Sequence, residues 1–270
     1  MRILLLWPLF FSFSAQPLSL WAQPLDWSPV MRSSLARMVA SDSKMADYSF
    51  DRRVIRKEFE ADGTLKTESN TLMRPERVEG VWISRVMEKD GARLTEVEQR
   101  RQEEVIRRKV VEGKATGGRP PSILGRDNDD LIQEFPEALE YRLVGEEMMA
   151  GRKAWVLACQ PRAGYKAKSM RSRFFEKGRG KVWVDQADKD LVRVDAEVFD
   201  TISIGFGLLG RVEKGTRFVL NRGRVAEGHF FTDSSQVNFT AKVLVFKTLI
   251  SEIKTQFYNF KVKTGVGPAR

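Results

Sequence analysis

The chain has 270 residues, a formal net charge of +10 at pH 7 and 42% hydrophobic residues. This length suits one large domain or two small ones, and the apolar content is sufficient for a core. Its single cysteine, Cys159, excludes an internal disulfide. The positive charge favours anionic partners such as nucleic acid, phospholipid headgroups, lipopolysaccharide or an acidic polymer.

The N-terminus predicts a cleaved signal peptide over residues 1–22. A short positively charged start precedes an apolar run at residues 3–13, and Ala22 is a small residue at a plausible cleavage site. A membrane anchor is the alternative, but about 20 apolar residues are needed to span a bilayer. Proline, serine and glutamine interrupt the run too early for that. We therefore expect a mature protein, residues 23–270, in the periplasm, where nucleic acid is not a partner.

A helix followed by long strands is predicted after the signal peptide. Residues 28–46 have a partly apolar face, and this segment predicts a helix that Ser28 caps and in which Pro29 suits the first turn. Three strands follow. An Asp-Gly pair at residues 62–63 is a hairpin signal, and a second pair at residues 90–91 ends the third strand.

A second helix and a loop then interrupt the strands. Thr95 and Glu98 form a capping box at the start of a charged segment that Gly113 ends. The mixed charges of this segment are typical of a solvated helix face. Residues 113–128 are rich in glycine and proline and predict a loop, and a short helix is predicted before Pro136.

A second run of strands begins near residue 139. In residues 191–199 small apolar side chains alternate with Arg193, Asp195 and Glu197, and residues 236–245 alternate in the same way. About ten or eleven strands are predicted, mostly joined by hairpins, so the sheet must be antiparallel. A sheet of this size curves. We predict a mainly β (α+β) fold, an open half-barrel covered by the N-terminal helix and a second inserted helix, with a concave apolar cavity.

These segments resemble the periplasmic lipoprotein-carrier superfamily, the Lol-type carriers and the outer-membrane lipoprotein-sorting-like proteins. The matching pieces are the N-terminal helix, the strand YSFDRRVIRKEF, the strand pair YRLVGEEMMAGRKAWVLACQPR and the segment GKVWVDQADKDLVRVDAEV. The resemblance implies one half-barrel domain over residues 23–270 that holds acyl chains, with a strand–helix–loop insertion at about residues 88–130. It transfers no ligand-binding residue, because no carrier lid or headgroup motif is recognisable.

The first candidate site is the segment TISIGFGLLGRV, residues 201–212. In an extended strand its large apolar side chains share one face, and its glycines permit a bend or a close backbone approach. It is either a bent, buried strand or crossover, a mobile apolar lip at the cavity mouth, or a membrane-inserting loop. The lip would consist of Ile202, Ile204, Phe206, Leu208 and Leu209.

The second candidate site is residues 161–181, named here the basic segment. It contains eight Lys and Arg residues against one acidic residue, with aromatic residues interleaved. Such side chains pair with phosphates and seat at an interface, although a solvated connecting loop has the same composition. The candidates for an anionic headgroup or membrane surface are Arg162, Tyr165, Lys166, Lys168, Arg171 and Arg173.

Catalytic, metal and cofactor sites have little support in the sequence. His229 is the only histidine, and no phosphate loop, metal spacing or nucleophile elbow is present. Cys159 is in phase with Trp155 and Leu157 and is expected in the core. We predict no catalytic residue, metal or cofactor, and a non-enzymatic carrier of a lipid or an acylated protein. The alternatives are an envelope sensor or interaction module, for example for an inner-membrane protein, and a hydrolase with an unrecognised site.

Overall fold

The computed structural model describes residues 25–116, 129–204, 210–243 and 247–263. Within these ranges the helices are α1 (Ser28–Lys44), α2 (Glu96–Thr116), α3 (Asp129–Ala138) and α4 (Arg173–Lys177), and a 3-10 turn, Met45–Asp47, follows α1. The strands are β1 (Tyr48–Phe59), β2 (Leu65–Val78), β3 (Val81–Lys89), β4 (Ala92–Arg93), β5 (Leu139–Met149), β6 (Arg152–Pro161), β7 (Gly178–Asp185), β8 (Leu191–Val198), β9 (Ile202–Ile204), β10 (Gly210–Val212), β11 (Arg217–Ala226), β12 (His229–Val243) and β13 (Lys247–Val262).

These thirteen strands form one antiparallel sheet. Its main order is β4-β3-β2-β1-β13-β12-β11-β8-β7-β6-β5, and β10 adds to β12 and carries β9. The predicted mainly β half-barrel is confirmed, because the sheet is large and not closed. The predicted signal peptide lies outside the described residues. It stays a prediction, as do the single domain over residues 23–270 and the insertion at residues 88–130.

The starts of the two long helices were both predicted from capping signals. The capping box of α2 is confirmed, because Thr95 N donates to Glu98 Oε2 at 2.9 Å and Glu98 N donates to Thr95 Oγ1 at 3.3 Å. The predicted cap at Ser28 is wrong. Ser28 is already helical, and its own backbone N donates to Asp26 Oδ1 at 3.0 Å. Asp26 therefore supplies the acceptor at this helix start.

One half of the sheet lies under helices, and we name β5–β8, β11 and β12 the covered half. Met31, Leu35 and Met38 of α1 pack in one buried cluster with Leu157 and Val182 of the sheet. Apolar burial of this kind is the main favourable contribution to folding. The face of the sheet that carries this cluster is named the concave face.

The other half comprises β1–β4 and β13, and we name it the open half. In this half α2 packs against Val81 and Ile83 of β3 through Ile106 and Val110. Directly paired residues of an antiparallel sheet share a face. The residue pairings from β12 through β13, β1 and β2 to β3 show which side chains share the concave face. Ile83 lies on the opposite face of the sheet. The helix α2 therefore lies outside the half-barrel. The prediction that this inserted helix helps to cover the cavity is wrong, because its apolar side chains pack on the outer face of β3.

Candidate functional site

A cavity of about 520 Å³ lies between the concave face of the covered half and the helices α1, α3 and α4. Leu35 and Met38 of α1 and Ile132 and Phe135 of α3 line one wall. The opposite wall is formed by alternate side chains of three neighbouring strands: Val194, Ala196, Phe218, Leu220, Val237 and Phe239. The lining is almost entirely apolar, which suits an apolar ligand.

The strand wall follows from the alternation in β8. Val194 and Ala196 point into the cavity, whereas Asp195 between them points to the outer face and accepts hydrogen bonds from Arg217. These hydrogen bonds lower the pKa of Asp195. Arg193 also contacts Asp195, at 3.2 Å. The predicted wet face of this strand is therefore an ion-paired outer surface, and its dry face lines the cavity.

The helix wall is held in place by Arg162. Its Nη2 donates to Ser28 Oγ and to Leu139 O, both at 3.0 Å, and its Nε donates to Glu137 O at 2.9 Å. These bonds join the start of α1, the end of α3 and the start of β5. Arg162 was predicted as a headgroup ligand, but in this structure its hydrogen bonds serve the scaffold.

A buried ion pair fixes the other end of α1 to the sheet. Arg222 Nη1 lies 2.8 Å from Asp42 Oδ1, and the Arg222 side chain is only 1% exposed. Burial raises the pKa of Asp42 and that of the nearby Asp190, although Arg222 acts against both shifts. Because removal of one charge from such a pair is costly, Arg222 ties α1 down at this end.

The rest of the basic segment lies beside the cavity. Tyr165 packs against the buried cluster between α1 and the covered half, and burial raises the pKa of its hydroxyl to about 12. Arg173 is exposed and donates to Ser203 O at 2.8 Å. The side chains of Lys166, Lys168 and Arg171 are exposed. The segment also contains the five-residue helix α4, which was not predicted from the sequence.

Two large apolar side chains of the basic segment face solvent. Met170 is 48% exposed and Phe174 is 43% exposed. Phe174 also lines the cavity, so it lies where the cavity meets the surface. An exposed aromatic ring among lysines and arginines is a composition typical of membrane interfaces.

The structure describes only part of the first candidate site, residues 201–212. Ile202 is 3% exposed, and β9 pairs with β10 so that Ile202 lies opposite Val212, which lines the cavity. The backbone of Ile204 belongs to β9. Phe206, Leu208 and Leu209 lie outside the described residues, so the predicted lip stays a prediction.

The nucleophilic and metal-binding groups offer little chemistry near the cavity. Cys159 lines the cavity, and burial raises the pKa of its thiol to about 12, which keeps it protonated at neutral pH. The Tyr48 hydroxyl and His229 Nδ1 are hydrogen-bonded at 3.0 Å. In the described ranges no cluster of three His, Cys, Asp or Glu side chains is arranged to hold a metal ion. No described helix is long and apolar enough to cross a membrane.

The contribution of α3 to the cavity was not predicted from the sequence. Leu131, Ile132 and Phe135 follow a glycine- and proline-rich stretch that is predicted as a loop. Their spacing of three and four residues is the signal that predicts one apolar helix face. The segment is too short for that signal to stand out.

No protein-family model matches the chain, and a comparison with curated proteins finds no match. Similar solved structures include a DUF1329 family protein from Desulfovibrio piger, with 12% identity, 90% of this chain and 96% of that chain covered, and a TM-score of 0.34. A putative outer membrane lipoprotein-sorting protein domain from Vibrio parahaemolyticus has 9% identity, 88% and 95% coverage and a TM-score of 0.35. A LolA superfamily protein from Nitrosomonas europaea has 13% identity, 86% and 93% coverage and a TM-score of 0.32.

Similarities at these identities and TM-scores carry no argument about the role of this chain.

Proposed function

We propose that the protein is an exported, non-enzymatic carrier that holds an acyl chain of a lipid or lipoprotein in the cavity. The observation that carries this proposal is the cavity of about 520 Å³ with its almost wholly apolar lining. Burial contributes roughly 0.8 kcal/mol per methylene, so one long chain supports micromolar binding after ordering costs.

An apolar void of this size is unusual in a packed protein. Protein interiors leave few voids larger than a water molecule, and atoms around an empty apolar space lose dispersion contacts. Here Val194, Phe218 and Val237 of the strand wall face that space. A bound acyl chain would restore those contacts, whereas water would find almost no hydrogen-bonding partner.

The basic segment is proposed to meet an anionic membrane surface when the ligand is exchanged. Lysines and arginines near a membrane are attracted by anionic lipids, and Phe174 and Met170 offer apolar contact beside them. The cationic residues proposed for this contact are Lys166, Lys168, Arg171 and Arg173. The residues proposed for the lip of the cavity are Ile202, Ile204, Phe206, Leu208 and Leu209.

The experiment that tests this function uses the mature protein, native mass spectrometry and a fluorescent long-chain fatty acid. Val237→Trp places an indole in the cavity, whereas Gln236→Trp, one residue earlier, places it on the outer face. We expect Val237→Trp to weaken fatty-acid binding at least about tenfold without lowering the melting temperature, because it fills a void. Gln236→Trp should bind like the wild type.

A wild-type protein that contains no lipid and does not bind the fatty acid would overturn the carrier proposal. The sensor or interaction module would then become the leading hypothesis. Equal loss of binding in both tryptophan variants would show that the ligand does not occupy the cavity.

A further inference from the structure

The concave face continues beyond the cavity into the open half. Val237 and Phe239 line the cavity, and they pair directly with Ile253 and Ser251 of β13. The next strand, β1, pairs with β13 and contributes its own alternate side chains to the same face. Adjacent strands lie about 5 Å apart, so β1 is about 10 Å from the cavity wall.

The β1 residues on this face include two arginines with hydroxyl groups beside them. Val54 of β1 lies directly opposite Thr71 on one side and Thr255 on the other. Arg52 and Arg56 lie two residues before and after Val54. We name the surface formed by these two arginines, the two threonines and Ser69, which pairs with Arg56, the arginine trough.

Arg52 and Arg56 lie on the same face of β1, four residues apart. Four residues along a strand separate their Cα atoms by roughly 13 Å, which two long side chains span together. The threonine hydroxyls between them are donors that rotate to suit an acceptor. Glu58 lies beyond Arg56 on the same face, so an anion is favoured at the Arg52 end.

Arg52 lacks the partners that a half-buried guanidinium needs. Its Nη2 contacts the weak acceptor Met73 Sδ at 3.2 Å, and its buried Nε has no hydrogen-bond partner among the described residues. Burial lowers the pKa of Arg52. On the outer face, by contrast, Arg53 contacts both Asn70 and Glu88. An unsatisfied buried donor is costly and calls for an explanation.

A second orphaned group lies on the same face between the trough and the cavity. The hydroxyl of Ser251 is buried and also has no partner within the described part of the chain. Ser251 pairs with Phe239 of the cavity wall on one side and with Glu58 on the other. Two unsatisfied polar atoms, Arg52 Nε and Ser251 Oγ, therefore lie on the concave face beyond the apolar lining.

We infer that the arginine trough binds the anionic group of an amphiphile whose acyl chain occupies the cavity. This inference rests on the proposed function. A guanidinium fork and hydroxyl donors suit a phosphate or carboxylate. Arg56 lies two strands, about 10 Å, from Val237, and Arg52 lies four residues further along β1, about 16 Å from Val237. One amphiphile with its acyl chain in the cavity can span either distance. The ligand class is therefore an anionic single-chain or diacyl lipid rather than a neutral one.

The test compares lysophosphatidic acid, monoacylglycerol of the same chain length and inorganic phosphate as probes. Arg52→Gln should weaken lysophosphatidic acid binding roughly 10- to 100-fold, the usual loss for a hydrogen bond to a charged group. It should change monoacylglycerol binding less than about twofold. Arg52→Lys keeps the positive charge but lacks the planar guanidinium that binds an anion through two hydrogen bonds, so it should give an intermediate loss. Arg53→Gln on the outer face is the matched control and should change neither.

Equal effects of Arg52→Gln on both lipids, or no effect on either, would overturn the inference. A wild type that binds both lipids equally would also overturn it and leave the carrier proposal standing. A wild type that binds neither lipid would remove both. Inorganic phosphate that binds as tightly as lysophosphatidic acid would mean a free-anion site unconnected to the cavity, which again overturns the inference.

Discussion

The covered and open halves share one sheet and one concave face, yet that face changes character between them. In the covered half the inward side chains of β8, Val194 and Ala196, are small and apolar and lie beneath helices. In the open half the inward side chains of β1 include Arg52 and Arg56, and most of their neighbours are exposed or half buried. The backbone register is continuous, so the side chains and the helices make the difference.

The two halves also treat a buried arginine differently. Arg222 in the covered half is paired with Asp42 and is almost fully buried. Arg52 in the open half is half buried and has no carboxylate partner among the described residues. A paired charge belongs to the scaffold, whereas an unpaired one imposes a stability cost that is typical of functional sites.

Replacement of these two arginines by methionine is the largest expected contrast. Arg222→Met leaves Asp42 as a buried carboxylate without its cation, and we expect a loss of about 3–5 kcal/mol in unfolding free energy. Arg52→Met leaves no charge unpaired and should cost less than about 1 kcal/mol, or stabilise the fold. Urea unfolding of both variants measures the difference. Similar losses would show that Arg52 is part of the scaffold.

A matched pair of truncations compares the packing of the two halves. Leu157 is fully buried beneath α1, whereas Ile253 of the open half is half buried. We expect Leu157→Ala to cost about 3 kcal/mol of unfolding free energy. Ile253→Ala should cost less than about 1 kcal/mol, because it leaves no enclosed cavity. Equal costs in urea unfolding would mean that the open half is packed as tightly as the covered half.

The smallest expected effect concerns α2, which lies on the outer face. Thr95→Ala removes the hydroxyl that accepts from Glu98 N, and we expect about 1 kcal/mol less stability. Fatty-acid affinity should stay unchanged, because α2 is outside the half-barrel. A calorimetric melting curve and a binding titration on the same sample test both statements. A loss of affinity would place α2 in the ligand path.

Local signals in the sequence predicted much of the fold. The capping box of α2, the hairpin turns at residues 62–63 and 90–91 and the alternation in β8 depend on neighbouring residues only. The short strands β4, β9 and β10 have two or three residues, too few for a period to show. The pairing of β11 with β8 also gives no local signal, because it joins strands that are distant in sequence.

The candidate site was less accessible from the sequence. The alternation of β8 predicted an apolar face, but whether that face is packed or hollow depends on how α1 and α3 dock. Arg52 could not be recognised, because the segment RRVIRK in β1 places charges on both faces. Composition likewise could not show that Arg162 bonds to the backbone and to Ser28 while Lys166 faces solvent.

The strand β13 has a consequence for the order in which the protein folds. It lies between β1 and β12, pairing Tyr48 with Val262 and Val237 with Ile253, and it follows every other described strand along the chain. The two halves therefore stay unjoined until it arrives, each with a long edge open to other chains. Pairings this distant in sequence form slowly. A newly synthesised chain thus has a period of exposure that a chaperone would need to cover.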